Sequence, residues 1–268
     1  MKTGEALTYS GYLALDCILS AQSPRSSGTT GESEHDELLF IIIHQVFELW
    51  FKQLLHELDY LCKQVREGNH TISVHILVRA RNIVKVMVSQ IDVLETMTPL
   101  EFGTFRDRLD QASGLQSFQF RELEFLLGKK RKEVLARYQD DNTIYKRLEL
   151  RLNAPTLWDA FLAYLEGRGY DIPAEVMKRD VSVEAQASDA VVTVLETVYR
   201  NDPEAMQLCE LLTDLDEGLQ EWRYRHVKMV ERTIGTKGGT GGSAGAEYLK
   251  STLNRPAFPE LWLVRSRL

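Results

Sequence analysis

Apolar residues return every three or four positions along most of this chain, and no run of strand length alternates with a period of two. The strongest such segment is DELLFIIIHQVFELWFKQLLHELDYL, residues 36–61, which reads as a buried helix running on to about Glu67, where Gly68 and Asn69 stop it. Before it, residues 6–20 read as a short amphipathic helix, and residues 22–34, rich in Ser and Gly, as a mobile loop. Thr71 to Met97 forms the antiparallel partner of the opening helix, closed by Pro99. Further helices are predicted over 102–109, 116–138, 141–151, 155–168 and 181–199, and a long one from Asp202-Pro203 to about Ile234. A glycine-rich loop over 235–245, a short helix to Leu253 and an extended tail with Pro256 and Pro259 complete the chain. The reading is one all-α domain over residues 1–268, without a repeat of 20 to 50 residues.

Two histidines interrupt apolar faces. His44 shares its face with Phe40, Phe47 and Phe51, and His226 lies in the seam Leu208, Leu211, Leu212, Leu215, Leu219, Trp222, Met229. An imidazole buried without a partner costs roughly 1 to 3 kcal/mol, so each needs a hydrogen bond, a metal or a ligand. Periodicity alone favours two satisfied core histidines, with a backbone carbonyl or Glu48 as the partner of His44. The alternative is a haem faced from opposite sides, one histidine on the iron and the other above the open position. His56 lies about a third of a turn off the face of His44 at 100° per residue, so the two cannot chelate one metal from one helix. His35, His70 and His75 fall near predicted helix ends and read as surface residues.

Composition narrows the partners. With 32 Lys and Arg against 39 Asp and Glu, and no basic run, neither a nucleic-acid footprint nor a polybasic membrane patch is expected. The run Leu38 to Val46 falls short of the ~20 residues of a membrane span, and the N-terminus lacks the apolar core of a signal peptide. Cys17, Cys62 and Cys209 are odd in number and far apart, which suits a reducing cytoplasm and packing roles. A soluble, cytoplasmic protein is expected.

Two other stretches carry candidate chemistry. GTKGGTGGSAG lacks the GxxxxGK[ST] spacing of a phosphate cradle and follows a helix; it reads either as a loop that orders over a ligand, with Thr240 and Ser243 as hydroxyl donors, or as a plain linker. Arg106 reads either as a surface ion pair with Asp110, four residues on, or as a clamp for a carboxylate beside Phe102 and Phe105.

Taken together, LTYSGYLALD, HDELLFIIIHQVFELWFKQLLHELD, FRDRLDQASGLQSFQFRELEFLLG, WRYRHVKMVERTIG, KGGTGGSAGAEYL and FPELWLVR resemble the tryptophan 2,3-dioxygenase family, in family order from about Thr8 to Arg265. The resemblance implies a helical haem b protein, one haem per subunit, that uses O2 to cleave the indole C2–C3 bond of L-tryptophan and give N-formylkynurenine. By the same resemblance His226 is the proximal iron ligand, and His44 is the distal group that hydrogen-bonds the indole N–H. Arg106 grips the substrate carboxylate, with Thr240 near its ammonium and carboxylate groups. Phe40 and Phe102 flank the indole, and Ser113 sits at the distal haem edge. A homotetramer is implied, in which Tyr9 and Tyr12 complete a neighbour's site. Two positions depart from the family pattern: Leu115 stands where phenylalanine is usual, and Thr236 where His or Phe is common. They leave open a haem monooxygenase acting on a substituted tryptophan; a helical haem- or indole-binding protein without turnover is a third reading.

Overall fold

The computed structural model describes residues 6–26, 33–239 and 245–268. Among these every regular element is helical: α1 (Tyr9–Leu13), α2 (Leu15–Leu19), α3 (His35–Arg66), α4 (His70–Leu94), α5 (Pro99–Arg106), α6 (Phe118–Leu126), α7 (Asn142–Leu152), α8 (Leu157–Gly167), α9 (Ala174–Met177), α10 (Asp189–Asn201), α11 (Pro203–Ile234), α12 (Ala246–Lys250) and α13 (Pro259–Leu263), with short 3₁₀ turns over Gly114–Gln116, Lys132–Tyr138 and Val264–Ser266. The all-α expectation holds.

The three long helices α3, α4 and α11 make the frame, α4 lying against both others. Their inward faces, including Leu54, Leu58, Leu61, Ile76, Leu77, Met87, Ile91, Leu208 and Leu215, are almost wholly withdrawn from water. α6 and α8 pack on α3, while α10 and α13 close over α11. By length and composition α3 could cross a membrane, its best 18-residue window having a mean hydropathy of 1.5. That window extends past the Leu38–Val46 run, because the polar residues that interrupt it are few. Here α3 is a bundle helix whose buried side chains face α4, α6 and α8.

Local chemistry moves several predicted boundaries. Residues 6–20 form two helices, because Ala14 takes a left-handed φ of 50° between them. α5 starts earlier than expected, at Pro99, where Thr98 and Glu101 form a reciprocal capping box. The predicted helix over 116–138 is broken: α6 ends at Leu126, Gly128 turns the chain at φ 90°, and a 3₁₀ segment follows. α10 begins at Asp189 rather than Val181, where the Ser188 hydroxyl accepts from Val191 N. The tail is a pair of helical turns. Asp216 of α11, 2% exposed, accepts hydrogen bonds there from Ala257 N (2.9 Å), Phe258 N (3.2 Å) and Trp262 Nε1 (2.9 Å).

The segment expected to be mobile is tied down at its described ends. Arg25 N and Ser26 N donate to the buried Glu37 carboxylate at 2.7 and 2.8 Å, and Gln22 bonds Gln45. All three cysteines are free thiols; Cys209 is buried, whereas Cys17 is exposed and plays no packing role.

Candidate functional site

A cleft of about 250 Å³ opens between α3, α5, α6 and α11. Its aromatic wall follows from α3's period. Phe40, Phe47 and Phe51 point inward from one face of α3, Phe102 packs on Phe40 with ring centroids 5.7 Å apart, and Trp222 meets Phe47 and Phe51 edge-on at 5.8 Å. Both candidate histidines line this cleft, one from each side of the frame.

Of the partners that periodicity left open for His44, the structure supplies the backbone carbonyl and leaves the second ring nitrogen to the cleft. Its Nδ1–H donates to the Phe40 carbonyl at 2.7 Å, which is the backbone partner a core histidine needs, while the ring packs on Phe40 at 4.2 Å. With the proton on Nδ1, Nε2 keeps its lone pair as an acceptor. Burial pulls the group below its ordinary pKa of 6.5, and the weaker pull of the Phe40 carbonyl and Glu48 in the other direction does not restore it. The ring is therefore neutral at pH 7.

His226 stands on α11 one turn after Trp222, whose indole lies nearly parallel to it at 5.5 Å. Its imidazole has no hydrogen-bond partner among the described residues. Burial, followed by the proximity of His44 and Arg223, lowers its pKa to about 4. A neutral imidazole in an aromatic cleft is a metal-ligand donor. Among the described residues no three His, Cys, Asp or Glu side chains converge to hold a metal ion, which leaves His226 there as a single donor. A macrocycle, which carries its own equatorial nitrogens, fits that donor set and the flat aromatic cleft.

Arg106 makes no ion pair with Asp110. Its Nη2 donates to the Gly238 carbonyl at 2.6 Å, across 132 residues of chain, and its Nε is buried without a partner among the described residues. The end of α5 thus aims a guanidinium at the cleft and ties it to the stem of the glycine-rich loop. Gly245 closes the other side of that stem at φ 61°, where a Cβ would meet the Lys237 carbonyl at 2.6 Å. Thr240 and Ser243 lie outside the described residues.

Ser113 lines the cleft, its hydroxyl accepting from Leu115 N at 3.3 Å at the head of the 3₁₀ turn, and Leu115 lines the cleft beside it. Tyr9 and Tyr12 do not reach this chain's cleft; they stand on α1, 76% and 72% exposed. The structure thus brings together Phe40, His44, Phe102, Arg106, Ser113 and His226.

Among the lining residues that the sequence did not single out as site residues are Phe120, Arg121, Trp222 and Arg223. Trp222 was legible as the seam residue one turn before His226. Arg223 follows Trp222 directly on α11, whereas Phe120 and Arg121 lie at the start of α6, inside the stretch 116–138 that the sequence presents as one helix. The actual start of α6 is set by Ser117, whose hydroxyl accepts from Phe120 N.

The family model described as tryptophan 2,3-dioxygenase matches residues 1–166 and 140–268. The chain is similar to the protein named tryptophan 2,3-dioxygenase in Herpetosiphon aurantiacus, with 56% identity over 98% of this chain and 99% of that one. It is 54% identical to the protein of that name in Anaeromyxobacter dehalogenans, over 98% and 97% of the two chains. The one in Arthrobacter sp. is 41% identical over 98% of this chain and 92% of its own.

Proposed function

This chain belongs to the tryptophan 2,3-dioxygenase family, and we infer from that premise, together with the cleft between His44 and His226, that it is a haem-dependent oxygenase cleaving the indole C2–C3 bond of L-tryptophan to N-formylkynurenine. The observation that carries the reading is the pairing of two neutral imidazoles in one aromatic cleft, one with a free acceptor nitrogen and the other without a hydrogen-bond partner among the described residues.

In this reading His226 holds the haem iron through a ring nitrogen, and the stacked Trp222 fixes the plane of its imidazole. When bound, ferrous haem supplies the coordination position at which O2 is activated. The chain's own residues place the second reactant. Phe40 and Phe102 offer flat apolar faces to the indole, and His44 Nε2 accepts its N–H, so the C2–C3 bond takes a fixed orientation. His44 acts here by orienting, and its low pKa keeps the acceptor available at neutral pH.

At the mouth, Arg106 exchanges the Gly238 carbonyl for the carboxylate of tryptophan, a charge-assisted bond in place of a neutral one. Thr240 is assigned to the ammonium and carboxylate end of the substrate, in the glycine-rich segment read as closing over it. Ser113, which lines the cleft, would border the bound haem.

We further assign the chain to a cytoplasmic homotetramer in which Tyr9 and Tyr12 complete a neighbour's cleft. Their high exposure on α1 supports this, as do Leu38, Ile42 and Leu49, apolar and exposed on the outer side of α3. Incubating the ferrous holoenzyme with L-tryptophan and O2 tests the function. N-formylkynurenine is the expected product. A singly oxygenated product would make it a monooxygenase, and binding without turnover would make it a binding protein.

A further inference from the structure

Behind the aromatic wall, three guanidiniums converge on one carboxylate. Glu124 of α6 is 3% exposed; its Oε2 accepts from Arg121 Nη1 at 2.6 Å and from Arg131 Nη2 at 2.8 Å, and its Oε1 accepts from Arg223 Nη2 at 2.9 Å. Arg121 and Arg223 both rest on the Phe120 ring, with guanidinium carbons 4.9 and 5.2 Å from its centroid, and both line the cleft. One carboxylate cannot balance three buried or half-buried cations. Glu48 also lines the cleft, but its carboxylate is engaged by Gln119 Nε2 at 2.8 Å. Phenols complete the surroundings: Tyr138 nearby and Tyr248, which accepts from Arg131 at 3.4 Å.

Arg121 is 5% exposed, and its Nε has no partner among the described residues. Burying a guanidinium donor without an acceptor is costly, so the arrangement calls for an acceptor that an anion in the cleft would supply. Arg223 lies three residues before His226 on α11, on the neighbouring turn. Arg121, Arg223 and His226 line the same cleft, so one ligand can meet all three.

Resting on the haem reading above, we propose that Arg121 and Arg223 seat the propionate carboxylates of the haem, with Glu124 as the positioning residue that holds both guanidiniums against Phe120. Arg106 serves a different carboxylate, that of the substrate, from α5.

The test compares protohaem with its dimethyl ester, whose propionates carry no charge, in the full-length protein. Each haem is loaded into wild type, Arg121→Leu and Arg223→Leu, and its loss to excess apomyoglobin is followed by absorbance. Loss of one charge-assisted contact is expected to speed release of protohaem by about 10- to 100-fold. The wild type should release the ester faster than protohaem by a similar factor, and each variant should discriminate less between the two. Arg223, the more accessible of the pair, carries the comparison if the Arg121 variant does not fold, with helical circular dichroism as the check. Equal discrimination in wild type and variants, or none in wild type, would overturn the propionate seat. Failure of the wild type to bind either haem would overturn the haem reading itself.

Discussion

Replacing His44 by alanine separates an orienting role from that of an indispensable base. In the structure the ring is locked by its 2.7 Å bond to the Phe40 carbonyl and by the Phe40 ring at 4.2 Å, so it presents one lone pair and carries no proton to give from Nε2. Removing it leaves the buried indole N–H of the substrate without an acceptor, a loss of about 1 to 3 kcal/mol, or roughly 5- to 150-fold in kcat/KM. A general base would contribute roughly 10²–10⁴-fold, so the upper part of that range marks the boundary between the roles. The assay is steady-state turnover of L-tryptophan and of 1-methyltryptophan, which has no N–H to donate. His44→Ala should slow tryptophan within the smaller range and penalise the methylated substrate less. A loss beyond about 10³-fold in kcat for tryptophan would refute the orienting role.

Arg106→Leu should weaken tryptophan by about 10- to 150-fold, read by equilibrium titration, while an indole lacking the carboxylate loses little; equal losses would count against the clamp. Burial pushes the Glu124 carboxyl upward, but Arg121, Arg223 and Arg131 outweigh it and hold its pKa below the ordinary 4.5. Its contribution to stability is thus present above about 4.5 and lost as pH falls through the folded-state value, so Glu124→Gln should flatten the acid limb of melting temperature against pH. An unchanged limb would remove Glu124 from the account. Asp216→Ala strips the acceptor shared by Ala257 N, Phe258 N and Trp262 Nε1 and should cost about 2 to 4 kcal/mol in urea denaturation, with the C-terminal segment becoming sensitive to protease; a loss below about 0.5 kcal/mol would show the tail held by packing alone.

The frame was legible because its signals are local and repeated. The periods of α3, α4 and α11 place His44 and His226 on inward faces, and the structure keeps both there. What the period could not supply was the partner across space. That Nδ1 of His44 is engaged, leaving Nε2 for the cleft, depends on a rotamer, and the Arg106 contact with Gly238 spans 132 residues. The arginines on Phe120 were hidden for another reason. Reading 116–138 as one helix smeared the face of Arg121, whereas Ser117 and Gly128 confine α6 to nine residues and bury Arg121 and Glu124; Arg223 is on α11, and its place over Phe120 is a contact between helices far apart in sequence. The tail misled for a similar reason: Pro256 and Pro259 suggested extended chain, but Pro259 takes the first turn of α13, where its missing N–H costs nothing.

The account turns on which histidine holds the iron. Purifying His226→Ala and His44→Ala alongside wild type and measuring haem content by absorbance decides it. His226→Ala should lose haem or retain it only weakly, while His44→Ala should keep a near-full complement. Haem retained without His226 and lost without His44 would contradict the assignment.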